Sequence, residues 1–371
     1  MTDTLRIDLF SVTDAEELPH GYVVLRTSTR HIVENSLLDQ VVVLDDDVDD
    51  ILPQRDAYFL RSTDLLESIE DGDVALNSGR GKLRVILTKR SSFNTLLVTE
   101  RCDNRCLFCS QPPKEHDDSW LLVQAALAIA TFDSQDTIGI SGGEPLLYGD
   151  GFIQFLRILV ELAPGTPLHI LTNGRKFSDL EFTKSVALLC KSLNVTFGIP
   201  LYSAEAGKHD ELVGAVGAFD QTIRGLINSG NIGLSVELRI IPTQLNMDEL
   251  PYLVELVTRS FSGVSQISVM NLEPTGWAKH NWSKLYASPE TYTESLNSAV
   301  LVASRARLPI ILFNYPLCHI PLDLHRYAVM SISDWKNYYP DECGQCALRS
   351  TCGGYFVSSK GAYHQPPRRY Q

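Results

Sequence analysis

The chain has 371 residues, of which 44% are hydrophobic and 21% charged, as is ordinary for a globular protein. Its formal net charge of −13 disfavours a DNA- or RNA-binding role, because most of the surface would repel a phosphate backbone. Residues 1–10 do not resemble a signal peptide, and no apolar run approaches the length of a membrane span. We therefore expect a cytoplasmic protein without a DNA or membrane partner, in which clustered cysteines bind metal or do chemistry.

Short apolar runs separated by Asp- and Gly-rich turns dominate residues 1–92. The runs that read as strands are 23–26, 41–44, 73–76 and 83–87. We predict a small, mainly β domain over residues 1–92, and nothing in it carries recognisable chemistry.

Strand and helix patterns alternate over residues 93–305. The predicted strands are 95–99, 137–141, 168–172, 194–199, 234–241 and 266–270, with one more at 309–313. The predicted helices are 120–130, 152–162, 180–190, 219–228, 250–257 and 288–305. This alternation predicts an α/β fold with a parallel sheet, either open or closed into most of a barrel. Residues 306–371 are rich in Cys, Pro and Tyr and are predicted to form a separate extension.

Unusual residues follow the predicted strands where each one ends, and in βα folds those ends form one rim that carries the active site. The residues at this rim are Cys102, Cys106 and Cys109 after the first strand, Gly142, Gly143 and Glu144 after the second, Asn173 after the third, Ser203 after the fourth, Arg239 in the fifth and Glu273 after the sixth. Their convergence on one edge is a stronger signal than any single motif.

The first cysteine set, spaced C-x3-C-x2-C over residues 102–109, has three members, whereas a structural zinc site normally takes four ligands. Three thiolates can ligate three irons of a [4Fe–4S] cluster and leave the fourth iron open. An open iron can chelate an amino and a carboxylate group, and S-adenosylmethionine (SAM) has both. Phe108 could then pack beside the adenine, while Glu144 would suit an ammonium group and the two glycines would let a ligand approach the backbone.

This combination of C-x3-C-x2-C, an aromatic residue before the last cysteine, and Gly-Gly-Glu-Pro after the next strand resembles the radical SAM superfamily. The resemblance implies a partial (β/α)6 TIM-like barrel. It also implies reductive cleavage of SAM to a 5′-deoxyadenosyl radical that abstracts a hydrogen atom from a substrate. Carried over by position, Cys102, Cys106 and Cys109 would hold the cluster. Gly142, Gly143 and Glu144 would contact the methionine amino group, and Asn173, Ser203 and Arg239 would contact the ribose or carboxylate.

A narrower resemblance, to the C-type radical SAM maturases of the His-Xaa-Ser system, reaches from about residue 94 to 357. It rests on C-S-Q-P-P-K (109–114), L-T-N-G-R (171–175), I-P-L-Y-S (199–203), V-E-L-R (236–239), S-I-S-D-W-K-N (331–337) and C-G-G-Y-F (352–356). It implies modification of a precursor peptide with His-Xaa-Ser repeats, as in ribosomal peptide (RiPP) maturation. The expected partners are that peptide, an external one-electron reductant such as a flavodoxin or ferredoxin, and a companion radical SAM maturase.

The second cysteine set comprises Cys318, Cys343, Cys346 and Cys352. Four thiolates fit either a structural zinc ion or an auxiliary [4Fe–4S] cluster. The spacing of the last three resembles half of a SPASM or twitch extension, which favours the cluster. With all four ligands present, that cluster would be structural or would transfer electrons.

Three functions compete on these observations. The leading hypothesis is a radical SAM peptide maturase; the alternative is a radical SAM enzyme that acts on a small molecule or RNA in cofactor or tRNA modification. The third is a non-catalytic scaffold that binds zinc at both cysteine sets. Two residues are candidates for direct catalysis, Glu273 as a base and Cys190 as a hydrogen-atom donor, although capping and a buried free thiol explain them as well.

Overall fold

The N-terminal part of the chain forms a mixed six-stranded sheet. The structure is a computed structural model that describes residues 10–11, 20–27, 37–44, 57–60, 69–77, 82–330 and 336–370. The strands of this sheet are Phe10–Ser11 (β1), Gly21–Arg26 (β2), Val41–Leu44 (β3), Ala57–Leu60 (β4), Val74–Asn77 (β5) and Lys82–Leu87 (β6). Their order is β1-β6-β5-β2-β3-β4; β2, β3 and β4 run parallel and the other pairs antiparallel. The predicted mainly β character of this region is confirmed.

The two faces of this sheet bury their alternating apolar residues in different places. Val23 and Leu25 belong to a core of the sheet itself, whereas Tyr22 and Val24 join the main core of the molecule. The Tyr22 hydroxyl donates to the Leu97 carbonyl at 3.2 Å, so the N-terminal sheet is docked on the region that follows it.

The second sheet is parallel and has eight strands in sequential order. They are Asn94–Leu97 (β7), Ile138–Ser141 (β8), Pro167–Leu171 (β9), Asn194–Pro200 (β10), Ser235–Ile240 (β11), Val264–Met270 (β12), Ile310–Phe313 (β13) and Ala328–Val329 (β14). Within the described ranges, β7 and β14 are not paired with each other, so the sheet is an incomplete barrel. The predicted α/β fold and partial barrel are confirmed.

Nine α-helices occur in the described residues, and the longer ones connect successive parallel strands. They are Trp120–Phe132 (α1), Asp150–Leu162 (α2), Leu180–Cys190 (α3), Ala206–Val213 (α4), Ala218–Ile232 (α5), Leu250–Ser260 (α6), Gly276–His280 (α7), Trp282–Leu285 (α8) and Thr293–Arg305 (α9). Helix α3 shows why such segments form where predicted. The Asp179 carboxylate caps it by accepting from the backbone N–H groups of Glu181 and Phe182, and its buried face carries Val186 and Ala187.

The parallel sheet continues past residue 305, the predicted end of the core domain, because β13 and β14 add to its edge. Beyond β14, Asn337–Tyr338 (β15) and Tyr355–Phe356 (β16) form a two-stranded antiparallel sheet. Among the described residues, no helix combines the length and the apolar composition needed to cross a bilayer.

Candidate functional site

The loop after β7 carries Cys102, Cys106 and Cys109, and its backbone is bound on both sides by other elements. The N–H groups of Arg105 and Leu107 donate to the carbonyls of Val213 and Leu212, at 2.8 and 2.9 Å. These carbonyls lie at the end of α4. The loop is thereby fixed to α4 by main-chain bonds that do not depend on side-chain identity.

The other side of the loop is held by α7. The Trp277 N–H donates to the Cys109 carbonyl at 2.8 Å, and the Asn281 amide donates to the Leu107 carbonyl at 2.8 Å. Gly276, at φ 50°, lies so close that an added Cβ would be 2.4 Å from the Cys109 carbonyl oxygen. A glycine is therefore required where β12 leads into α7.

The three thiols of this loop are half-buried and close to one another. Burial, followed by the charge of Cys109, raises the pKa of Cys106 to about 12. Burial, followed by the charges of Glu144 and Cys106, raises the pKa of Cys102 as well. Thiolates are the metal-binding form of cysteine, and three neighbouring thiolates need positive charge among them. The donor set therefore fits a [4Fe–4S] cluster, whose irons would supply that charge.

Gly142 and Gly143 lie where the end of β8 meets the start of this loop. The Gly143 N–H donates to the Thr99 carbonyl at 2.8 Å, and the Glu144 N–H donates to the Arg101 carbonyl at 2.7 Å. A Cβ on Gly142 would lie 2.2 Å from the Thr99 oxygen, and one on Gly143 would lie 2.0 Å from the Arg101 oxygen. The two glycines thus permit a close approach between two backbone segments, a reason that the sequence alone did not reveal.

The Glu144 carboxylate is buried and accepts three hydrogen bonds. Its donors are the Leu146 N–H at 2.9 Å, the Thr172 hydroxyl at 2.6 Å and the Asn173 N–H at 2.5 Å. Burial raises the pKa of Glu144 to about 7, although the three donors oppose this shift. The side chain therefore joins the ends of β8 and β9, and its contact with the SAM amino group stays a prediction.

Replacing Glu144 with glutamine is expected to lower the free energy of unfolding by about 1–3 kcal/mol, because the new amide group turns an N–H toward Leu146 or Asn173. The backbone N–H there would then lose its acceptor. Urea denaturation of the metal-free protein under anaerobic conditions measures the change. Glu181→Gln, on the exposed side of α3, is the matched control and is expected to unfold like the wild type. Equal losses in the two variants would contradict the assigned role.

Asn173 connects the end of β9 to the cysteine loop. Its amide group donates to Asp103 at 2.6 Å, and the Arg175 guanidinium contacts the same carboxylate at 2.9 Å and the Asn104 side chain at 2.7 Å. Asp103, Asn104 and Arg175 were not predicted as site residues. Asp103 and Asn104 could have been found as polar residues between Cys102 and Cys106, and Arg175 as a cation two residues after Asn173.

Ser203 and Phe108 lie in well-packed surroundings. The Ser203 hydroxyl is fully buried and donates to Glu249 at 2.5 Å. The Phe108 ring contacts the Tyr202 ring edge-on, with 4.6 Å between the centroids, in an apolar cluster that includes Leu212. Both residues are thus near the loop but already have protein partners, and their contacts with SAM stay predictions.

A cavity of about 700 Å³ occupies the interior of the partial barrel. His169 and Glu237, which both line it, form a hydrogen bond, and Arg239 lies 3.5 Å from the same Glu237 carboxylate. Burial works to raise the pKa of Glu237, but the hydrogen bond from His169 and the charge of Arg239 outweigh it and lower that pKa to about 2. The predicted rim residue Arg239 therefore faces the cavity as part of a charged cluster.

Glu273 also lines this cavity, beside two residues from residues 336–370, here called the C-terminal segment. The Lys336 ammonium lies 3.4 Å from one Glu273 oxygen, and the Ser358 hydroxyl donates to the other at 3.3 Å. Cys190, the other catalytic candidate, ends α3 and packs against the main core, and it does not line this cavity.

Residues 96–257 match the family model described as "Radical SAM superfamily". Those residues are a radical SAM domain.

The curated relatives of this radical SAM domain include "GTP 3',8-cyclase" of Campylobacter jejuni, 28% identical over 193 residues. Another is "Probable GTP 3',8-cyclase" of Saccharolobus solfataricus, 27% identical over 188 residues. Each match covers about half of this chain (49% and 50%), and the chain spans 57% and 58% of the two relatives.

Among solved structures, "Native anSMEcpe with bound AdoMet" aligns with a TM-score of 0.51 at 12% identity, covering 74% of this chain and 92% of that one. At this identity the likeness shows the fold alone. The narrower resemblance to His-Xaa-Ser maturases stays a prediction.

The second cysteine set lies outside the matched radical SAM domain, and its four thiols are gathered together. Burial, followed by the charges of Cys318, Cys352 and Cys346, raises the pKa of Cys343 to about 11. The N–H groups of Leu317 and Gly354 both donate to the Cys352 sulfur at 3.4 Å. Such donors stabilise a thiolate, which is the form that ligates metal.

Cys318 has its own hydrogen-bond partners. Its sulfur lies 3.4 Å from the Tyr355 hydroxyl, which is 2.7 Å from the His319 ring. Burial works to raise the pKa of Cys318, but hydrogen bonds from His319 and Tyr355 outweigh it and lower that pKa to about 7. Among the described residues, no three His, Cys, Asp or Glu side chains converge closely enough for a single metal ion. A four-iron cluster takes one thiolate per iron, so its ligands need not converge on one point.

Proposed function

We propose that this chain is a radical SAM enzyme that binds a [4Fe–4S] cluster through Cys102, Cys106 and Cys109. The observation that carries this proposal is the placement of three neighbouring thiols on one loop, clamped by backbone bonds beside Gly142 and Gly143. When bound, the cluster and SAM supply the one-electron chemistry that yields a 5′-deoxyadenosyl radical and removes a hydrogen atom from a substrate. The protein holds the loop in place through main-chain hydrogen bonds.

The substrate that we favour is a small molecule bound in the barrel cavity. Its volume of about 700 Å³ lies within the range of about 300–1,000 Å³ that is usual for such ligands. Charged and polar groups, His169, Glu237 and Arg239, converge on it. The similarity of about half of the chain to GTP 3′,8-cyclases adds support for a nucleotide-like or other cofactor precursor.

Peptide maturation is the second candidate, and the quoted motifs from residue 109 to 356 favour it. On this hypothesis a precursor peptide with His-Xaa-Ser repeats enters the same cavity, with a companion maturase as a further partner. Incubation with GTP in one arm and the precursor peptide in the other, read by mass spectrometry, separates the two. A mass change of the peptide alone selects peptide maturation.

Two further parts complete the proposal. An auxiliary [4Fe–4S] cluster is held by Cys318, Cys343, Cys346 and Cys352, where backbone donors and the Tyr355 hydroxyl favour thiolates. A flavodoxin or ferredoxin delivers the single electron.

Anaerobic reconstitution with iron and sulfide tests the enzyme proposal directly. We expect about eight irons and eight sulfides per chain, as two four-iron clusters require. With dithionite and SAM, the reconstituted protein is expected to release 5′-deoxyadenosine, measured by liquid chromatography. Zinc in place of iron, or intact SAM after reduction, would contradict the proposal and favour a metal-binding scaffold.

A further inference from the structure

The C-terminal segment completes one wall of the barrel cavity. Lys336 and Phe356 of this segment line the cavity together with Glu273 and Asn314 of the barrel. Lys336 is 63 residues away from Glu273 in sequence, yet its ammonium nitrogen lies 3.4 Å from the Glu273 Oε2. The carboxylate and the ammonium therefore meet between the end of β12 and the C-terminal segment.

The two side chains are mostly buried but keep some accessible surface. Their exposed fractions are 15% for Lys336 and 23% for Glu273, and both residues border the cavity. The Ser358 hydroxyl donates to the Glu273 Oε1 at 3.3 Å and orients the carboxylate. An ammonium has three donors and a carboxylate accepts up to about four hydrogen bonds, so the pair can contact a ligand while staying together.

Burial makes full charge costly for both groups. It raises the pKa of Glu273 to about 7 and lowers the pKa of Lys336 to about 8. A ligand group that accepts from the lysine and donates to the carboxylate would add a hydrogen bond to each of them in the cavity. An anionic group would be repelled by the Glu273 carboxylate, and a cationic group would be repelled by the Lys336 ammonium. The chemistry of the pair thus selects a neutral group with an acceptor and a donor side by side.

We propose that Glu273 and Lys336 form a substrate subsite that binds an amide edge, in which a carbonyl oxygen lies beside an N–H group. Lys336 donates to the carbonyl, and Glu273 accepts from the N–H. Amide edges occur in peptides and also in the lactam of guanine, so both substrate candidates carry one. The inference rests on the proposed function, because it takes the cavity to be the site where the substrate binds. It adds that the C-terminal segment determines specificity, through Lys336 and Ser358.

Equilibrium dialysis of the full-length reconstituted protein, without SAM or reductant, tests this subsite apart from turnover. The probes are GTP, ATP and a synthetic peptide of three His-Ala-Ser repeats. ATP has the same phosphates as GTP but lacks the lactam amide. We expect saturable binding of GTP in preference to ATP, or of the peptide, and the probe that binds identifies the source of the amide edge.

Glu273→Gln and Lys336→Met are each expected to weaken binding of that probe about tenfold or more, since the first replaces a charged acceptor with a weaker neutral one and the second removes a charged donor. Ser358→Ala keeps both charges and is expected to cause a smaller loss. Lys184→Met removes an exposed ion pair with Glu181 on α3 and is the matched control, expected to bind like the wild type. Thermal melting of each variant checks that it is folded.

Three results would overturn the inference: unchanged binding by folded Glu273→Gln and Lys336→Met variants, equal binding of GTP and ATP without peptide binding, or no saturable binding of any probe. These outcomes are distinct from failure of the proposed function. If the wild type cleaves SAM while the substitutions leave binding unchanged, the subsite is wrong and the enzyme proposal stands. If SAM is not cleaved, the enzyme proposal fails whatever the dialysis shows.

Discussion

Combined replacement of Cys102, Cys106 and Cys109 by alanine is expected to abolish the release of 5′-deoxyadenosine from SAM. The three thiols are the proposed cluster ligands on the loop after β7, and alanine offers no metal ligand. Under the two-cluster proposal, iron should fall from about eight to about four per chain, because the second cysteine set still holds its own cluster. Iron analysis and chromatography of the anaerobic reaction measure both effects.

Cys190→Ala is the matched control for iron content. Its thiol lies at the end of α3, against the main core, and is expected to ligate no iron, so the content should stay at about eight. Undiminished 5′-deoxyadenosine release by the triple variant would refute the assigned ligands. A loss of all iron would instead mean that the two cysteine sets depend on each other.

Gly143→Ala is expected to prevent stable cluster binding and to lower the midpoint of thermal unfolding. The added Cβ would lie 2.0 Å from the Arg101 oxygen and 2.5 Å from its carbonyl carbon. These are backbone atoms of the cysteine loop, so relief requires the loop itself to move. Overpacking of this kind typically lowers the free energy of unfolding by about 1–3 kcal/mol, and the loss is larger where the backbone cannot move to relieve the clash. Calorimetry and iron analysis of the reconstituted protein follow the two effects.

Gly207→Ala provides the matched substitution at an open position. Gly207 lies in α4, and a Cβ added there would have no atom within 4 Å outside its own stretch of helix. Alanine is favoured over glycine in a helix by up to about 1 kcal/mol, so this variant should be as stable as the wild type or more so. Equal melting temperatures for the two variants would contradict the claim that glycine is needed at position 143 for close backbone packing.

Much of the framework was predictable because it depends on local apolar patterns. The predicted helix over residues 180–190 coincides with α3, and the strands β7 to β13 lie within a few residues of their predicted positions. Strand β14 was missed, since two residues are too few for any periodicity. Helix α4 was missed because its sequence is mostly polar, and it is held by the cysteine loop instead.

The site itself was predictable in position more than in contacts. The rule that strand ends converge placed the thiols, Glu144 and Glu273 at one edge. It could not reveal that the Glu144 carboxylate accepts hydrogen bonds from Thr172 and Asn173, because those partners are 28 and 29 residues away in sequence. Lys336 was missed as a site residue because it lies in a segment without periodic pattern, and only tertiary packing brings it to the cavity.

The backbone clamp on the cysteine loop bears on how iron is acquired. Small metal domains such as zinc fingers fold only when the metal arrives, so their binding energy is spent on ordering the chain. Here main-chain groups of Arg105, Leu107 and Cys109 bond the loop to α4 and α7, and none of these bonds involves a thiol. On the proposed function, less of the affinity for iron is therefore expected to be spent on ordering the loop than in a zinc finger.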